Sequence, residues 1–392
     1  EITRDGVTIF DAQGQRANRD IRRVQIDTSQ IEKGGHKHFM AKEIAEQPTV
    51  LADAIKHYIP EDGLNLPDNT PDFSQIDRII IVACGTAYLA CASAKYWIER
   101  LAQIPVEVDI ASEFRYRAPP IGPRTLAIFV SQSGETADTL AALRHVAERA
   151  QILSVVNVVE SSIARESDIA LPILAGTEIG VASTKAFTCQ LSVLLALALK
   201  AGRDRDLISA SEMQSHIAEF RTLPGRVSSA LNVSETIATL AKELSKARDI
   251  LFLGRGQMYP IALEGALKLK EISYIHAEGY ASGELKHGPI ALIDPAVPVI
   301  VMAPRDALFD KTVSYMQEVM ARGGRVILVT DTAGAREAGE GTMAVITMPE
   351  VPDLLAPIVY AIPAQLLAYH TAVAKGTDVD QPRNLAKSVT VE

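Results

Sequence analysis

The sequence has few of the features of secreted, nucleic-acid-binding or membrane proteins. It has only three cysteines, Cys84, Cys91 and Cys189, without the spacing of metal ligands, which favours a reducing compartment over a disulfide framework. Its 39 lysines and arginines are outnumbered by 48 aspartates and glutamates, so the net charge of −9 offers no basic field to nucleic acid. The longest apolar runs, such as residues 191–199, are shorter than the ~18 to 20 residues that cross a bilayer. These absences predict a soluble, cytoplasmic protein.

The composition is that of a multidomain globular protein. The chain has 392 residues, 47% of them hydrophobic and 22% charged, enough for two or three domains of ~100 to 200 residues each. Residues 1–72 are mixed and polar, with a strand-like segment at 7–10, a helical pattern at 40–59 and a stretch rich in proline, asparagine and aspartate at 61–72. Because the chain begins at Glu1 within a strand-like pattern, we expect residues 1–72 to be a segment and linker that follow a further domain.

From residue 79 onward, short β-branched runs alternate with helical patterns. The runs lie at residues 79–83, 125–130, 152–159, 250–253, 297–302 and 326–329. Continuous apolar strands that alternate with helices are typical of parallel sheets covered on both faces. The sequence therefore predicts an α/β protein.

A single spacing relates two halves of this region without gaps. Residues 171 apart match in three separate segments: 84–88 with 255–259, 112–115 with 283–286, and 128–130 with 299–301. We infer a tandem duplication. It predicts two doubly wound parallel-sheet domains at residues 73–210 and 246–375, joined by a helical connector at 211–245 and followed by an irregular tail at 376–392.

The turn from Ser131 to Thr136 has the character of an anion site. It follows a predicted strand and precedes a helical pattern, so backbone N–H groups, the positive end of a helix dipole and three hydroxyls can face a phosphate. The alternative is that Ser133 is only a helix N-cap. The duplication argues against this alternative, because the segment from Met302 to Ala307 has apolar residues at the three hydroxyl positions. A cap would serve both halves equally well.

A second group of candidates lies in the helical pattern at 261–272. Glu264, Lys268 and Glu271 are spaced so that they share one helix face, which is usually a solvated row of ion pairs. Here the flanking residues are almost all apolar, which is typical of a helix that is buried or lines a cleft. Carboxylates and an amine confined to a cleft shift one another's pKa values and can hold a general base. The first half has serine, tryptophan and arginine at these positions, so the cluster belongs to one half only.

Two further side chains have both a functional and an ordinary interpretation. His287 lies among polar and turn-forming residues, where an imidazole can exchange protons near neutrality, but a single histidine is more often only a hydrogen-bonded residue. Lys387 lies in the tail, which is either frayed or folded over a cleft, where its amine can form a Schiff base. The pair His36 and His38 lacks a cysteine or carboxylate at ligand spacing, so we predict no metal and no cofactor.

Together these motifs resemble the isomerase part of the glutamine–fructose-6-phosphate amidotransferases, also called glucosamine-6-phosphate synthases, which is built from two sugar-isomerase (SIS) domains. The resemblance covers nearly all 392 residues. It rests on the segments 40–48, 84–86, 131–136, 176–185, 262–271, 283–289 and 378–392. It departs at Ala87, where related sequences often carry serine, and this departure removes one hydroxyl contact to the sugar.

The resemblance implies a reaction and a role for each candidate. Such enzymes convert fructose 6-phosphate to glucosamine 6-phosphate with ammonia that an N-terminal glutaminase domain releases from glutamine. We expect this chain, without that domain, only to interconvert ketose and aldose phosphates. By the resemblance, Lys387 forms a Schiff base at C2, Glu271 moves a proton between C1 and C2, and Glu264 and Lys268 set the electrostatics. His287 opens the sugar ring from the neighbouring subunit of a homodimer. The resemblance assigns the phosphate and sugar contacts to Thr86, Ser131, Gln132, Ser133, Thr136, Val181, Ser183 and Ala386.

Two alternatives belong to other functional classes. A catalytically silent phosphosugar-binding regulator would need the turn at 131–136 but would have no use for Glu271, His287 and Lys387, all of which are present. A stand-alone glucosamine-6-phosphate deaminase or isomerase that uses free ammonia would have a natural start near residue 1. The position of Glu1 within a strand-like pattern favours the isomerase part of a longer amidotransferase over this stand-alone enzyme.

Overall fold

Two five-stranded sheets, all parallel, form the centre of the computed structural model, which describes residues 1–4, 6–18, 31–61 and 63–391. The first sheet consists of Arg78–Ala83, Val106–Ile110, Thr125–Ser131, Gln151–Val156 and Ile169–Pro172. The second consists of Asp249–Gly254, His276–Ala281, Pro298–Met302, Arg325–Asp331 and Ala344–Met348. Both sheets have the strand order 2-1-3-4-5, which is that of a doubly wound domain. The predicted fold class is confirmed.

Helices surround both sheets and connect them. Those of the first domain are Gly85–Ala102, Ala111–Arg117, Ala137–Val146, Ser162–Glu166 and Lys185–Asp204, and those of the second are Tyr259–Ser273, Phe309–Met320, Thr332–Ala338 and Ala356–Lys375. Three helices, Ala210–Arg221, Leu223–Leu231 and Ser234–Leu244, lie between the sheets in sequence, and Phe39–Tyr58 precedes them all. In the first strand, Ile79 and Ile81 belong to one hydrophobic cluster, and Ile80 and Val82 to another. Both faces of the sheet are therefore buried, which explains the continuous apolar runs.

The spacing of 171 residues persists in the three-dimensional structure. It relates the first strands, Arg78–Ala83 and Asp249–Gly254, and also the last helices, Lys185–Asp204 and Ala356–Lys375. It also relates two glycines at the strand-to-helix turns, because Gly85 and Gly256 have φ angles of 54° and 55°, in the left-handed region that favours glycine. The two halves are therefore copies of one backbone plan.

Within the described part of the chain, two helices are long and apolar enough to cross a membrane, Lys185–Asp204 and Asp353–Lys375. Their apolar windows are 94% and 89% buried inside the protein. The first packs on Gly85–Ala102 and the second on Tyr259–Ser273, and these two partner helices contact each other. The long apolar helices thus have the burial of core helices, as part of the packing that joins the domains.

The structure differs from the sequence expectations at several edges. The predicted strand at 152–159 ends at Val156, because Val158 and Val159 lie in a turn and are exposed. The strand-like segment at 7–10 is divided into two short strands, Gly6–Val7 and Ile9–Phe10. The six predicted runs omit the second and fifth strands of each sheet. These strands are only partly buried, so their sequences lack a continuous apolar run.

Candidate active site

A cavity of about 250 Å³ lies where the first and third strands of the first sheet end. These strands are neighbours in the sheet, and the chain leaves them towards opposite sides of the strand order. In doubly wound sheets, this reversal opens a crevice at the carboxyl edge, where ligands bind. Three parts of the chain form its wall: turns of the first domain, Lys268 and Glu271 of the second domain, and residues 385–389 of the tail.

Most of the predicted site residues line this cavity. From the first domain they are Thr86, Ser131, Gln132, Ser133, Thr136, Val181 and Ser183, from the second domain Lys268 and Glu271, and from the tail Ala386 and Lys387. Ala87, at the position where the resemblance expects serine, also lines it. The structure thus brings together segments that are up to about three hundred residues apart in the sequence.

The turn after Ser131 is closed by its own hydroxyls. Ser131 Oγ accepts a hydrogen bond from Gly134 N at 3.0 Å and lies 3.0 Å from Thr136 Oγ1. Ser133 Oγ accepts from Glu135 N at 3.2 Å. The following helix begins at Ala137, with Thr136 at its N-cap, so the interpretation of Ser133 as the N-cap is wrong. The turn therefore presents three hydroxyls to the cavity ahead of a helix N-terminus, an arrangement suited to an anion.

Glu264, Lys268 and Glu271 form the buried charged cluster that the helical spacing indicates. Lys268 Nζ lies 2.6 Å from Glu271 Oε2 and 3.6 Å from Glu264 Oε1. Burial raises the pKa of Glu264 to about 8, although the charge of Lys268 acts in the opposite direction. Burial lowers the pKa of Lys268, but the two carboxylates outweigh it and the net shift is upward. Near neutrality the helix therefore holds a protonated Glu264 next to a Lys268–Glu271 ion pair.

Glu264 itself does not line the cavity. Its side chain is fully buried, and its Oε1 accepts a hydrogen bond from Thr86 Oγ1 at 3.3 Å. Thr86 does line the cavity. Glu264 therefore touches the site through Thr86 and Lys268, whereas Glu271, with 20% of its side chain exposed, reaches it directly.

The tail is folded over the cavity rather than frayed. Ser388 Oγ donates to Ser133 Oγ at 2.9 Å, and the carbonyl of Val389 accepts from Ala137 N at 3.0 Å. Further back, Asp380 accepts hydrogen bonds from the N–H groups of Phe39 and Met40 at the start of the first helix. These contacts fix the tail so that Lys387 lies at the cavity wall.

Lys387 is held by a carboxylate that the sequence reasoning did not single out. Its Nζ lies 2.5 Å from Glu178 Oε2 and donates to the carbonyl of Gly180 at 2.8 Å. Glu178 is completely buried at its side chain and also accepts from the N–H groups of Thr184 and Ala186. Burial raises the pKa of Glu178, but Lys387 and these donors outweigh it and the net shift is downward. The sequence signal that could have identified Glu178 is its place in the segment 176–185, on which the resemblance partly rests and in which it is the acidic residue.

Glu43 supports the same turn from behind, and it was also not predicted. Its Oε1 accepts from Ile179 N at 2.5 Å and Gly180 N at 3.1 Å, and its buried Oε2 has no partner among the described residues. Burial, and then the neighbouring charge of Glu178, raise the pKa of Glu43 to about 7. Glu43 belongs to the segment 40–48, on which the resemblance partly rests but to which it assigns no role. Its contacts give that segment a place against the active-site turn.

His287 lies outside the cavity of its own chain. It ends the short helix Ser282–His287 on the surface and is exposed, with no hydrogen bond to the described residues. Of the pair His36 and His38, His38 has its Nδ1 3.0 Å from Tyr369 OH. The structure therefore brings together every predicted group of site residues except His287.

Comparison with known proteins assigns the fold and the relatives. The SIS domain family model matches residues 72–200 and 243–375. Glutamine–fructose-6-phosphate aminotransferases (isomerizing) of Rhizobium meliloti and Brucella abortus are 57% and 55% identical over the whole chain. The chain spans 65% of the length of each of these relatives.

Two solved structures show the same arrangement of domains. The C-terminal domain of the glucosamine-fructose-6-phosphate aminotransferase from Francisella tularensis is 45% identical, with a TM-score of 0.87, and the match covers 90% of this chain and 100% of that one. The glucosamine-6-phosphate deaminase from Thermotoga maritima is 25% identical, with a TM-score of 0.72, over 90% of this chain and 99% of that one. The predicted resemblance is confirmed.

Proposed function

We propose, on the premise that this chain belongs to the SIS domain family and matches the isomerase part of the glutamine–fructose-6-phosphate aminotransferases, that its cavity binds and isomerises fructose 6-phosphate. The observation that carries the proposal is the meeting of three parts of the chain around one cavity. The first domain supplies hydroxyls at Ser131–Thr136, the second supplies Glu271, and the tail supplies the amine of Lys387. A silent binding protein would need only the first of these.

In this proposal the phosphate lies on the turn of the first domain. The hydroxyls of Ser131, Ser133 and Thr136, the amide of Gln132 and the N-terminus of the helix at Ala137 surround it. Thr86, Val181, Ser183 and Ala386 line the remaining wall along the sugar. The sugar carbons are thereby directed towards Lys387 and Glu271, on the other side of the cavity.

Lys387 and Glu271 then divide the chemistry. The Lys387 amine, once it has released its proton to solvent, adds to C2 of the open-chain sugar, and loss of water gives the imine. Without ammonia, water reverses this step, and Glu271 moves a proton from C1 to C2 of the free ketone while the proton of the C1 hydroxyl passes to the C2 oxygen, which gives the aldose. When ammonia is present, it adds to the imine carbon before that proton transfer and releases the Lys387 amine. The imine nitrogen left on C2 becomes the amine of the product when Glu271 moves the proton from C1 to C2. Lys268, paired with Glu271 at 2.6 Å, holds that carboxylate in position.

Ring opening is assigned to His287 of a second subunit. His287 is exposed and lies outside the cavity of its own chain, so it needs a partner chain to reach a substrate. Mixing a His287→Ala variant with a Lys387→Ala variant under conditions that exchange subunits tests this assignment. About a quarter of the wild-type rate of glucosamine 6-phosphate formation from ammonium should return, because half of the dimers are mixed and each mixed dimer has one complete site. No recovery after confirmed exchange would refute the assignment.

The imine is the step that tests the proposal most directly on this chain. Borohydride reduction in the presence of fructose 6-phosphate should add one reduced sugar phosphate to the peptide that contains Lys387, detected by mass spectrometry. Lys387→Ala should abolish the addition, and omission of the sugar is the control. Labelling of Lys268 instead would contradict the assigned roles.

In the full-length protein the same cavity would receive ammonia released from glutamine by an N-terminal domain. Glucosamine 6-phosphate would then be the product, formed in the cytoplasm, where the free thiols of Cys84, Cys91 and Cys189 are compatible with a reducing environment. Adding a glutaminase domain, or supplying ammonium salts to this chain, should produce glucosamine 6-phosphate. Formation of only aldose phosphate in the linked protein would contradict this extension.

A further inference from the structure

The duplication leaves a second cavity in the second domain. A space of about 710 Å³ lies at the carboxyl edge of the second sheet, and its wall includes residues 304–307, the counterparts of 133–136 in the phosphate turn. Tyr360 at this wall corresponds to Cys189 of the first domain. An adjoining cavity of about 330 Å³ shares Asp306 and Asp353 with it. This region has the place of a ligand site in a doubly wound domain.

The floor of the second cavity is unsuited to a phosphate in the position used by the first domain. Asp331 accepts hydrogen bonds from Arg305 N at 3.1 Å and Gly334 N at 2.9 Å, and Asp306 Oδ1 accepts from Leu308 N at 2.8 Å. The carboxylates thus occupy the backbone donors that an anion would need. The floor instead offers negatively charged acceptors, which suit the hydroxyl and ammonium donors of a ligand.

One polar atom at the floor lacks a partner. The Tyr360 side chain is fully buried, and its hydroxyl makes no hydrogen bond with any described residue. A buried phenol hydroxyl normally finds a partner, because leaving it unsatisfied costs about 1 to 3 kcal/mol. In the adjoining cavity, the buried indole nitrogen of Trp97 is likewise without a partner among the described residues. These atoms are therefore candidates for contact with a bound molecule.

The mouth of the same cavity has the opposite charge. Arg305 and Arg336 are exposed at its wall. Arg305 pairs with Glu337, whereas Arg336 makes no ion pair or hydrogen bond with the described residues. A guanidinium that is not paired within the protein is well suited to a phosphate, which it binds through two parallel N–H donors.

We propose that the second cavity binds a phosphorylated amino sugar, with its ammonium and hydroxyl groups on Asp306 and Tyr360 and its phosphate on Arg336. The ligand would lie in the reverse sense to the substrate of the first domain, with its anion at the mouth rather than at the turn. The site goes beyond the proposed function, because none of the residues that line the catalytic cavity takes part. Its ligand belongs to the chemical class of the proposed product, so it would sense the product away from the reaction.

Equilibrium dialysis of this chain with labelled glucosamine 6-phosphate tests the proposal. We expect two molecules bound per chain. A variant with Ser133→Ala and Thr136→Ala should lose one of them, and a variant with Arg336→Ala and Tyr360→Phe should lose the other and retain isomerisation. Arg336→Ala alone should weaken the second site about ten-fold or more, as expected for a lost hydrogen bond to a charged group. The conservative Tyr360→Phe preserves the ring and its packing.

The comparison ligands separate the parts of the proposal. Fructose 6-phosphate lacks the amine and glucosamine lacks the phosphate, so each should bind the second site at least about ten-fold more weakly than glucosamine 6-phosphate. One bound molecule per wild-type chain, lost in the Ser133→Ala and Thr136→Ala variant, would overturn the proposal and leave the proposed function intact. Equal binding of the two sugar phosphates at the second site would overturn the assignment of the amine.

Discussion

The two halves of this protein share a backbone plan but differ at the same register positions. Where the first half has Ser133 in the Ser131–Thr136 turn, the second has Pro304, and where the second half has Glu271, the first has Arg100. Both halves keep the strand order 2-1-3-4-5 and the same left-handed glycine at the first strand-to-helix turn. The fold therefore requires only the shared positions, whereas the positions that differ are available for chemistry.

This difference also explains why neither half alone contains the whole candidate site. The first domain provides hydroxyls and backbone donors, and the buried charges at the cavity come from the Tyr259–Ser273 helix of the second. Contact between this helix and its counterpart Gly85–Ala102 brings the two contributions together. The tail then closes the cavity with Lys387. Four substitutions test this division, from the largest expected effect to the smallest.

Glu271→Gln should have the largest effect. If Glu271 moves the proton as proposed, removing its carboxylate should slow isomerisation by about 10² to 10⁴-fold, while borohydride trapping at Lys387 persists. The coupled assay is conversion of fructose 6-phosphate to glucose 6-phosphate. Arg100→Gln, at the matching position in the first half, should change the rate less than about two-fold. Equal losses of isomerisation rate in the two variants would contradict the proposed difference between the two halves.

Ser133→Ala should weaken substrate binding about ten-fold or more, because a hydrogen bond from the turn to a charged phosphate is lost. The loss should appear in KM, with a smaller change in kcat, since the phosphate is remote from C1 and C2. The control is Ala307→Thr, which places a hydroxyl at the position of the second half that matches Thr136. It should leave KM unchanged. A normal KM in Ser133→Ala would contradict the phosphate assignment.

Glu264→Gln should change how stability depends on pH. The folded protein raises the pKa of Glu264 from its ordinary value of 4.5 to about 8, so it binds this proton more tightly than the unfolded chain. The resulting stabilisation is complete below pH 4.5 and is lost as the pH rises towards 8. The free energy of unfolding of the wild type should therefore fall relative to the variant by about 1 kcal/mol or more between pH 5 and 8.

Urea unfolding at the two pH values measures this difference. The exposed Glu113→Gln is the matched control, because it makes the same substitution outside the buried cluster. If Glu264→Gln behaved like Glu113→Gln, the cluster of the second half would not be the buried group described here.

Glu43→Gln should have the smallest effect, a change of about two- to three-fold in the rate at which the imine at Lys387 is trapped. Burial and Glu178 raise the pKa of Glu43 to about 7, so a second negative charge appears near Lys387 as the pH passes neutrality. This charge adds to that of Glu178 beside the Lys387 amine, so formation of the imine becomes less favourable. Trapping of the imine in the wild type should therefore show an inflection near pH 7 that Glu43→Gln lacks. Glu46→Gln, on the same helix but paired with Lys185, should keep the inflection.

Much of the fold follows from local patterns in the sequence. The central strands are continuous apolar runs because both their faces are buried, and the duplication is visible because the spacing of 171 residues has no gaps across three segments. The edge strand Val106–Ile110 has Glu107 and Asp109 in its partly exposed positions, so it lacks such a run. Edge strands therefore need pairing information that one sequence does not contain.

The site was predictable where its chemistry lies within one element. The Ser131–Thr136 turn and the Glu264, Lys268 and Glu271 face are local patterns, and a comparison of the two halves distinguishes them from ordinary caps and ion pairs. Glu178 and Glu43 were not predictable in this way. Glu178 meets Lys387 across 209 residues of sequence, and Glu43 meets Gly180 across 137. Such contacts depend on how the tail and the first helix pack, which no local spacing encodes.

The most direct test of the division between the halves is a crystal structure of this chain with fructose 6-phosphate. We expect the phosphate within about 3 Å of the hydroxyls of Ser131, Ser133 and Thr136, with Glu271 facing C1 and C2 from the second domain. A phosphate held instead by the Met302–Ala307 segment, or Glu271 turned into bulk solvent, would contradict the account.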